Sequence, residues 1–185
     1  MKKQTIFLFL VLCFFTRCGI EVTDPPQHKA YLDLYVAAQK PIYKMNPILR
    51  RYSAIVTAVV SDEMNGRDDS LKRYKDSIDF YNGILNSEMS TNVIAVQYLK
   101  EVDMELPIKE HTLEHWRQCD IFLNNVKLWL NEPRGSEKSE YLRNEVVKSG
   151  KSTMNAGYDM VHAADSFTIK HNITLEELSV NGLLD

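Results

Sequence analysis

The sequence predicts an all-α fold: an antiparallel four-helix bundle with a kinked first helix and a short extra helix at the C-terminus. Three observations lead there. Apolar residues recur at alternating steps of three and four along most of the 185-residue chain; no stretch shows convincing strand alternation; and caps or breakers divide the pattern into four long segments. With 44% apolar residues and aromatics spread along its length, the chain is neither disordered nor of low complexity.

The first segment carries Tyr31, Tyr35, Ala38, Ile42, Met45, Leu49, Tyr52, Val56 and Val59 on one stripe. Pro41 and Pro47 interrupt its backbone bonding, which predicts kinks or a split. Asn65-Gly66 suits a left-handed stop. Asp68, Asp69 and Ser70 offer N-cap oxygens to a second helix, whose stripe runs from Leu71 through Tyr74, Ile78, Tyr81 and Leu85 and resumes at Val96, Leu99 and Val102. The intervening NSEMSTN, 86–92, is poor in helix formers and predicts a bend or break.

Pro107 suits the first turn of a third helix, with Ile108, Thr112, His115, Cys119, Phe122, Val126 and Trp129 on its stripe and a stop around Asn131. A fourth starts near Ser136 and continues to about His171. Within it Gly150, Gly157 and Ala164 recur every seven residues beside Val147, Met154 and Val161. A glycine inside a helix costs about 1 kcal/mol relative to alanine, so two in register predict a neighbouring helix crossing close by. Thr174 and Glu177 form a capping box for the terminal helix, which ends near Asn181-Gly182. Short connections make neighbours antiparallel. The runner-up is an irregular helical array, because the third helix is shorter than the others and leaves one end of the bundle open.

The N-terminus has a different character. Lys2 and Lys3 precede an unbroken apolar run from Ile6 to Phe15, the layout of a secretion signal and too short to span a bilayer, which takes about 20 residues. Arg17 closes the run, the polar GIEVTDPPQHKA follows, and no small-x-small cleavage site lies near its end. Instead Phe14-Phe15-Thr16-Arg17-Cys18-Gly19 resembles the lipobox of bacterial lipoproteins, with Arg17 standing where that class usually has Gly, Ala or Ser. The resemblance implies cleavage before Cys18 and a diacylglyceryl thioether on its sulfur. It divides the chain into a cleaved signal peptide (1–17), a lipidated N-terminus and tether (18–27) and a single α-helical domain (28–185). Two or more buried acyl chains anchor stably where one is marginal. Gly19 after the cysteine leans toward the outer membrane, facing periplasm or surface; ordinary secretion, giving a soluble periplasmic or secreted protein, is the alternative. Cys13 falls in the discarded segment.

Loss of residues 1–17 leaves 19 basic and 25 acidic residues, a net charge of −6. That speaks against nucleic acid or a polybasic membrane surface. Cys119 is then the only cysteine besides Cys18, so the domain has no internal disulfide and depends on packing.

One stretch has a chemical signature. His111-Thr112-Leu113-Glu114-His115 resembles the H-x-x-E-H pattern of inverzincin metallopeptidases. Imidazoles at i and i+4 share a helix face and can chelate zinc, with Glu114 as base toward a metal-bound water. Those enzymes are far larger and take a distant third glutamate ligand, so the activity is not carried over. A metal site without catalysis would use adjacent pairs among His111, His115 and Cys119, since the outer two lie about 12 Å apart along the helix. His162, between Asp159 and Asp165, would complete it if the two helix ends are level. Packing offers a plainer account: His115 and Cys119 belong to the buried stripe, and His111, Glu110 and Glu114 are surface groups of a helix start, where acids are favoured. No covalent-haem motif, glycine-rich phosphate loop or nucleophile elbow occurs.

The sequence therefore points to a non-enzymatic, lipid-anchored helical module of a bacterial cell envelope that binds a protein partner and needs no cofactor. The alternative is a zinc-binding bundle. Cys18→Ala is expected to move the protein from the membrane to the soluble fraction, as read by fractionation. Cys119→Ala is expected to stay membrane-bound and only loosen packing.

Overall fold

The computed structural model describes residues 25–67 and 69–184. The leader, Cys18 and the tether as far as Asp24 lie outside the described residues. The chain forms four long helices, α1 (Pro25–Met64), α2 (Asp69–Gln97), α3 (Ile108–Leu130) and α4 (Glu137–Lys170), and a short α5 (Leu175–Val180), packed as a helical bundle. No strand occurs among the described residues.

Helix α1 is not split, for it runs through Pro41 and Pro47 over 40 residues. Each proline removes an intrahelical bond at a cost of about 3 kcal/mol. Burial on both sides outweighs it: Ala38, Ile42, Met45 and Tyr52 are all 5% exposed or less, the first in one core cluster and the other three in the larger one. Pro47 and Tyr43, whose carbonyl would have bonded the missing N–H, sit on the exposed side within reach of water. The helix also starts at Pro25 and takes in the last three residues read as tether. Proline is well suited to a first turn.

Helix α2 likewise passes through 86–92 without a break. Met89 is buried there between Leu85 and Val96, and the hydroxyls of Ser90 and Thr91 donate back to the Asn86 and Ser87 carbonyls at 2.8 and 3.3 Å, a way for such residues to sit inside a helix. It stops at Gln97, so Leu99 and Val102 belong to the connection to α3. The boundaries set by capping fall where the sequence places them. The Ser136 hydroxyl accepts from the Ser139 N–H at 3.0 Å, and Thr174 and Glu177 close a full capping box. Gly66 and Gly182 take the left-handed conformation, at φ +67° and +71°, just beyond the ends of α1 and α5.

Helix α3 is central. It packs along α4 and also meets α2 and α1, whereas α1 touches α4 at few places. The larger core lies among α1 to α4 around Tyr52, Trp116, Leu123 and Trp129. A second core forms around the start of α3, where Tyr31, Tyr35, Ile108 and Phe167 pack with Leu178 and Leu183 from the C-terminus. The end expected to stand open is therefore covered by the 98–107 connection and α5, and the opening lies instead along the side between α1 and α4.

Polar groups fasten both ends. At one end Glu63 near the end of α1 pairs with Arg134 in the α3–α4 turn and with Arg143 at 3.6 Å, and Arg134 lies 4.6 Å from the centre of the Trp129 ring. At the other, the buried carboxylate of Asp103 accepts from His171 Nε2 at 2.8 Å and Lys170 Nζ at 2.9 Å. Its second oxygen accepts from the Glu105 and Leu106 amides. His171 in turn stacks on Tyr31, ring centres 3.6 Å apart. His28 joins the first turn of α1 to Glu177 at 2.7 Å and to the His171 carbonyl at 3.1 Å.

Burial opposes the Asp103 charge, yet the bonds from Lys170, the Glu105 amide, His171 and the Leu106 amide outweigh it and bring the carboxyl down to about 2 from 3.8. A carboxyl with a lowered native pKa stabilises the fold above its unfolded value, and that stability is lost as the pH falls through the native one. Stability is thus expected to fall between pH 3.8 and about 2. Asp103→Asn is expected to cost about 1.5–3 kcal/mol at pH 7 and to flatten that fall, as measured by urea unfolding across the pH series.

Candidate functional site

The functional candidate arises from the geometry of α4. Its core stripe, including Val146, Thr153 and Met160, is buried. Val147, Met154 and Val161 each stand one residue further on, about 100° round the helix, and turn toward the gap beside α1. They remain 40%, 55% and 49% exposed. Opposite them α1 presents Leu49, Ser53, Val56 and Val60, and the floor between is made by His115 and Phe122 of α3. The result is a mainly apolar groove of about 660 Å³.

Two glycines of α4 sit beside the floor. A Cβ added at Gly150 would lie 3.4 Å from the Phe122 ring, and one at Gly157 would lie 3.4 Å from the His115 ring. The close neighbour expected from the glycine spacing is thus α3, through two rings seated against α4. Ala164, the third member of the heptad series, packs into the second core with Phe167. Thr153 ties the same seam by donating to the Gln118 carbonyl at 2.9 Å.

His115 is 8% exposed. Its Nε2 lies 3.7 Å from the Cys119 sulfur, and its Nδ1 forms no well-shaped hydrogen bond. Burial lowers its pKa while the nearby Thr153 backbone acts the other way, so the imidazole is neutral at physiological pH. The Cys119 thiol, with no exposed surface, is pushed up to about 12 by burial, with Asp120 adding to the effect. It is a protonated core sulfhydryl, unsuited as it stands to serve as nucleophile or thiolate ligand.

The structure thus brings together only two of the four candidate ligands, His115 and Cys119. His111 is half-buried one turn before them, and His162 is exposed on α4 with Asp159 and Asp165. Among the described residues no group of three or more His, Cys, Asp or Glu side chains is placed to hold a metal ion. Glu114 is turned to solvent, where Arg117 donates to it at 2.8 and 2.9 Å and Gln118 at 2.8 Å. Those bonds hold its carboxyl below the usual range. It is exposed, whereas His115 and Cys119, beside which a base toward a metal-bound water would have to stand, are buried.

The rim of the groove carries Arg50 on the α1 side and Lys151 on the α4 side, and no acidic residue lines it. Sequence reasoning missed these two, which look like ordinary surface charges until the helices are placed. The offset series Val147, Met154, Val161 was the legible signal, for it adds an apolar stripe beside the one that α3 covers. No helix among the described residues is long and apolar enough to cross a membrane.

No known protein family matches the chain, and neither the curated proteins nor the solved structures contain a significant match.

Cys119 is expected to resist a thiol reagent such as dithionitrobenzoate at pH 8 in the native protein and to react fully once urea unfolds it. Rapid reaction of the folded protein would contradict the buried, protonated thiol.

Proposed function

We propose that the protein is a non-enzymatic, lipid-anchored helical binding module of a bacterial cell envelope, and that the groove between α1 and α4 is its binding surface. The observation that carries the reading is the groove itself. A surface helix normally turns one apolar stripe to the core and polar residues outward, yet α4 keeps Val147, Met154 and Val161 outside that stripe and facing a gap. Pockets of about 300–1,000 Å³ with apolar walls and a few polar groups are the usual form of binding sites, and this groove falls within that range.

Catalysis finds little support in the same region. The buried titratable pair at the groove floor, His115 with Cys119, holds a neutral imidazole against a protonated thiol, without an acid or base beside it to activate either. The zinc alternative has two ligands in place, where structural zinc takes four. The envelope location comes from the leader and Cys18, and the tether would hold the domain at the membrane by its N-terminal end. A protein partner is the expectation from the size and placement of such a module.

A photocrosslinking residue tests the binding surface in the native envelope. With benzoyl-phenylalanine at Val161 or Met154, illumination is expected to give discrete adducts; with the same residue at Lys72, on the exposed face of α2, it should give none. Equal adduct patterns at all three positions would remove the groove from consideration.

A further inference from the structure

We infer that the groove takes a single-chain anionic amphiphile, an acyl chain whose carboxylate or phosphate head is held at the rim by Arg50 and Lys151. This deepens the reading of the protein as a binding module and rests on it, while replacing the expected protein partner with a lipid-like one.

The charge distribution selects the sign of the head group. Acidic residues outnumber basic ones in the chain, 25 to 22, yet none lines the groove, while Arg50 and Lys151 approach it from opposite walls. Neither forms a salt bridge to a described acid, although other basic residues such as Lys29, Arg117 and Lys170 do. The rim is therefore locally positive on an acidic protein. Long aliphatic stems let both cations keep their heads in water while their methylenes extend the apolar wall.

The floor and dimensions select the body of the ligand. Leu49, Val56, Phe122, Met154 and Val161 make the walls and floor mainly apolar, which suits a hydrocarbon chain. Along α4 the lining runs from Val146 to Val161, about 22 Å at the rise of an α-helix. A single acyl chain spans half of a bilayer core of about 30 Å, or roughly 15 Å, and fits within that length. A second copy docked about a two-fold axis would set the cationic rims against each other with no acid between them, which is unfavourable.

The test is photolabelling of the full chain in its native envelope, followed by purification and peptide mapping. The probes are a diazirine derivative of palmitate, the same chain as a lysophosphatidic acid, and the same chain as a primary amine. Both anionic probes are expected to label peptides within 42–60 and 146–161, and the amine at least fivefold less. Labelling by the acid alone would assign the head as a free carboxylate, and by the phospholipid alone as a phosphate; either supports the inference.

The double variant R50E/K151E is expected to lower anionic labelling at least fivefold, whereas K72E/R73E on α2 should leave it unchanged. Circular dichroism checks that the variants remain folded, and the exposed position of all four residues favours that. Equal labelling by the amine, labelling spread over other helices, or indifference to R50E/K151E would each overturn the inference. Absence of amphiphile labelling alongside discrete protein adducts at Val161 would overturn the ligand class and leave the binding module standing. Silence in both experiments would remove both.

Discussion

The architecture depends on the seam between α3 and α4. Two glycines one heptad apart face the rings of Phe122 and His115, each of which would lie 3.4 Å from a Cβ added at its glycine, and Thr153 fastens the seam with a bond to the Gln118 carbonyl. With α4 held to α3, and α1 held by α2 and by the edge of α3, the two outer helices meet chiefly where Tyr31 and Tyr35 pack on Phe167. The groove is what remains between them. A valine or leucine in place of either glycine would add atoms beyond that contact and crowd the rings that floor the cleft.

Polar contacts do the corresponding work at the two ends. Glu63 with its two arginines, and Asp103 with His171 and Lys170, each join segments far apart in sequence. Such clusters specify geometry more than they add stability, since removing charge from water offsets much of the attraction. The Asp103 cluster draws the long 98–107 connection over the start of α3, which closes the end of the bundle and confines the opening to its side.

Much of this was legible in the sequence wherever a local rule governs the outcome. Ser136, Thr174 with Glu177, and Asn131 mark helix ends through hydrogen bonds made within a few residues, and the observed boundaries agree. Pro41 and Pro47 do not split α1, and the polar 86–92 stretch does not break α2, because their local cost is met by burial against other helices. The i, i+4 spacing of His111 and His115 was real, but whether a third ligand arrives depends on the placement of α4, which spacing along α3 cannot express. The groove belongs to that category as well. Arg50 and Lys151 become a pair only when two helices are brought side by side, and nothing in either local context distinguishes them from other exposed cations.

The bond between His28 and Glu177 brings the first turn of the first helix against the last helix of the chain, so both ends of the described chain meet at one pole. The groove begins near Ile42, about 25 Å along α1 from Pro25. Anything attached at either terminus, be it a membrane tether or a fused domain, is therefore gathered on the side away from the cleft's far half. Mechanically, the fold resembles a stalked cup: load enters at the stitched pole, and the cleft is left free to face outward.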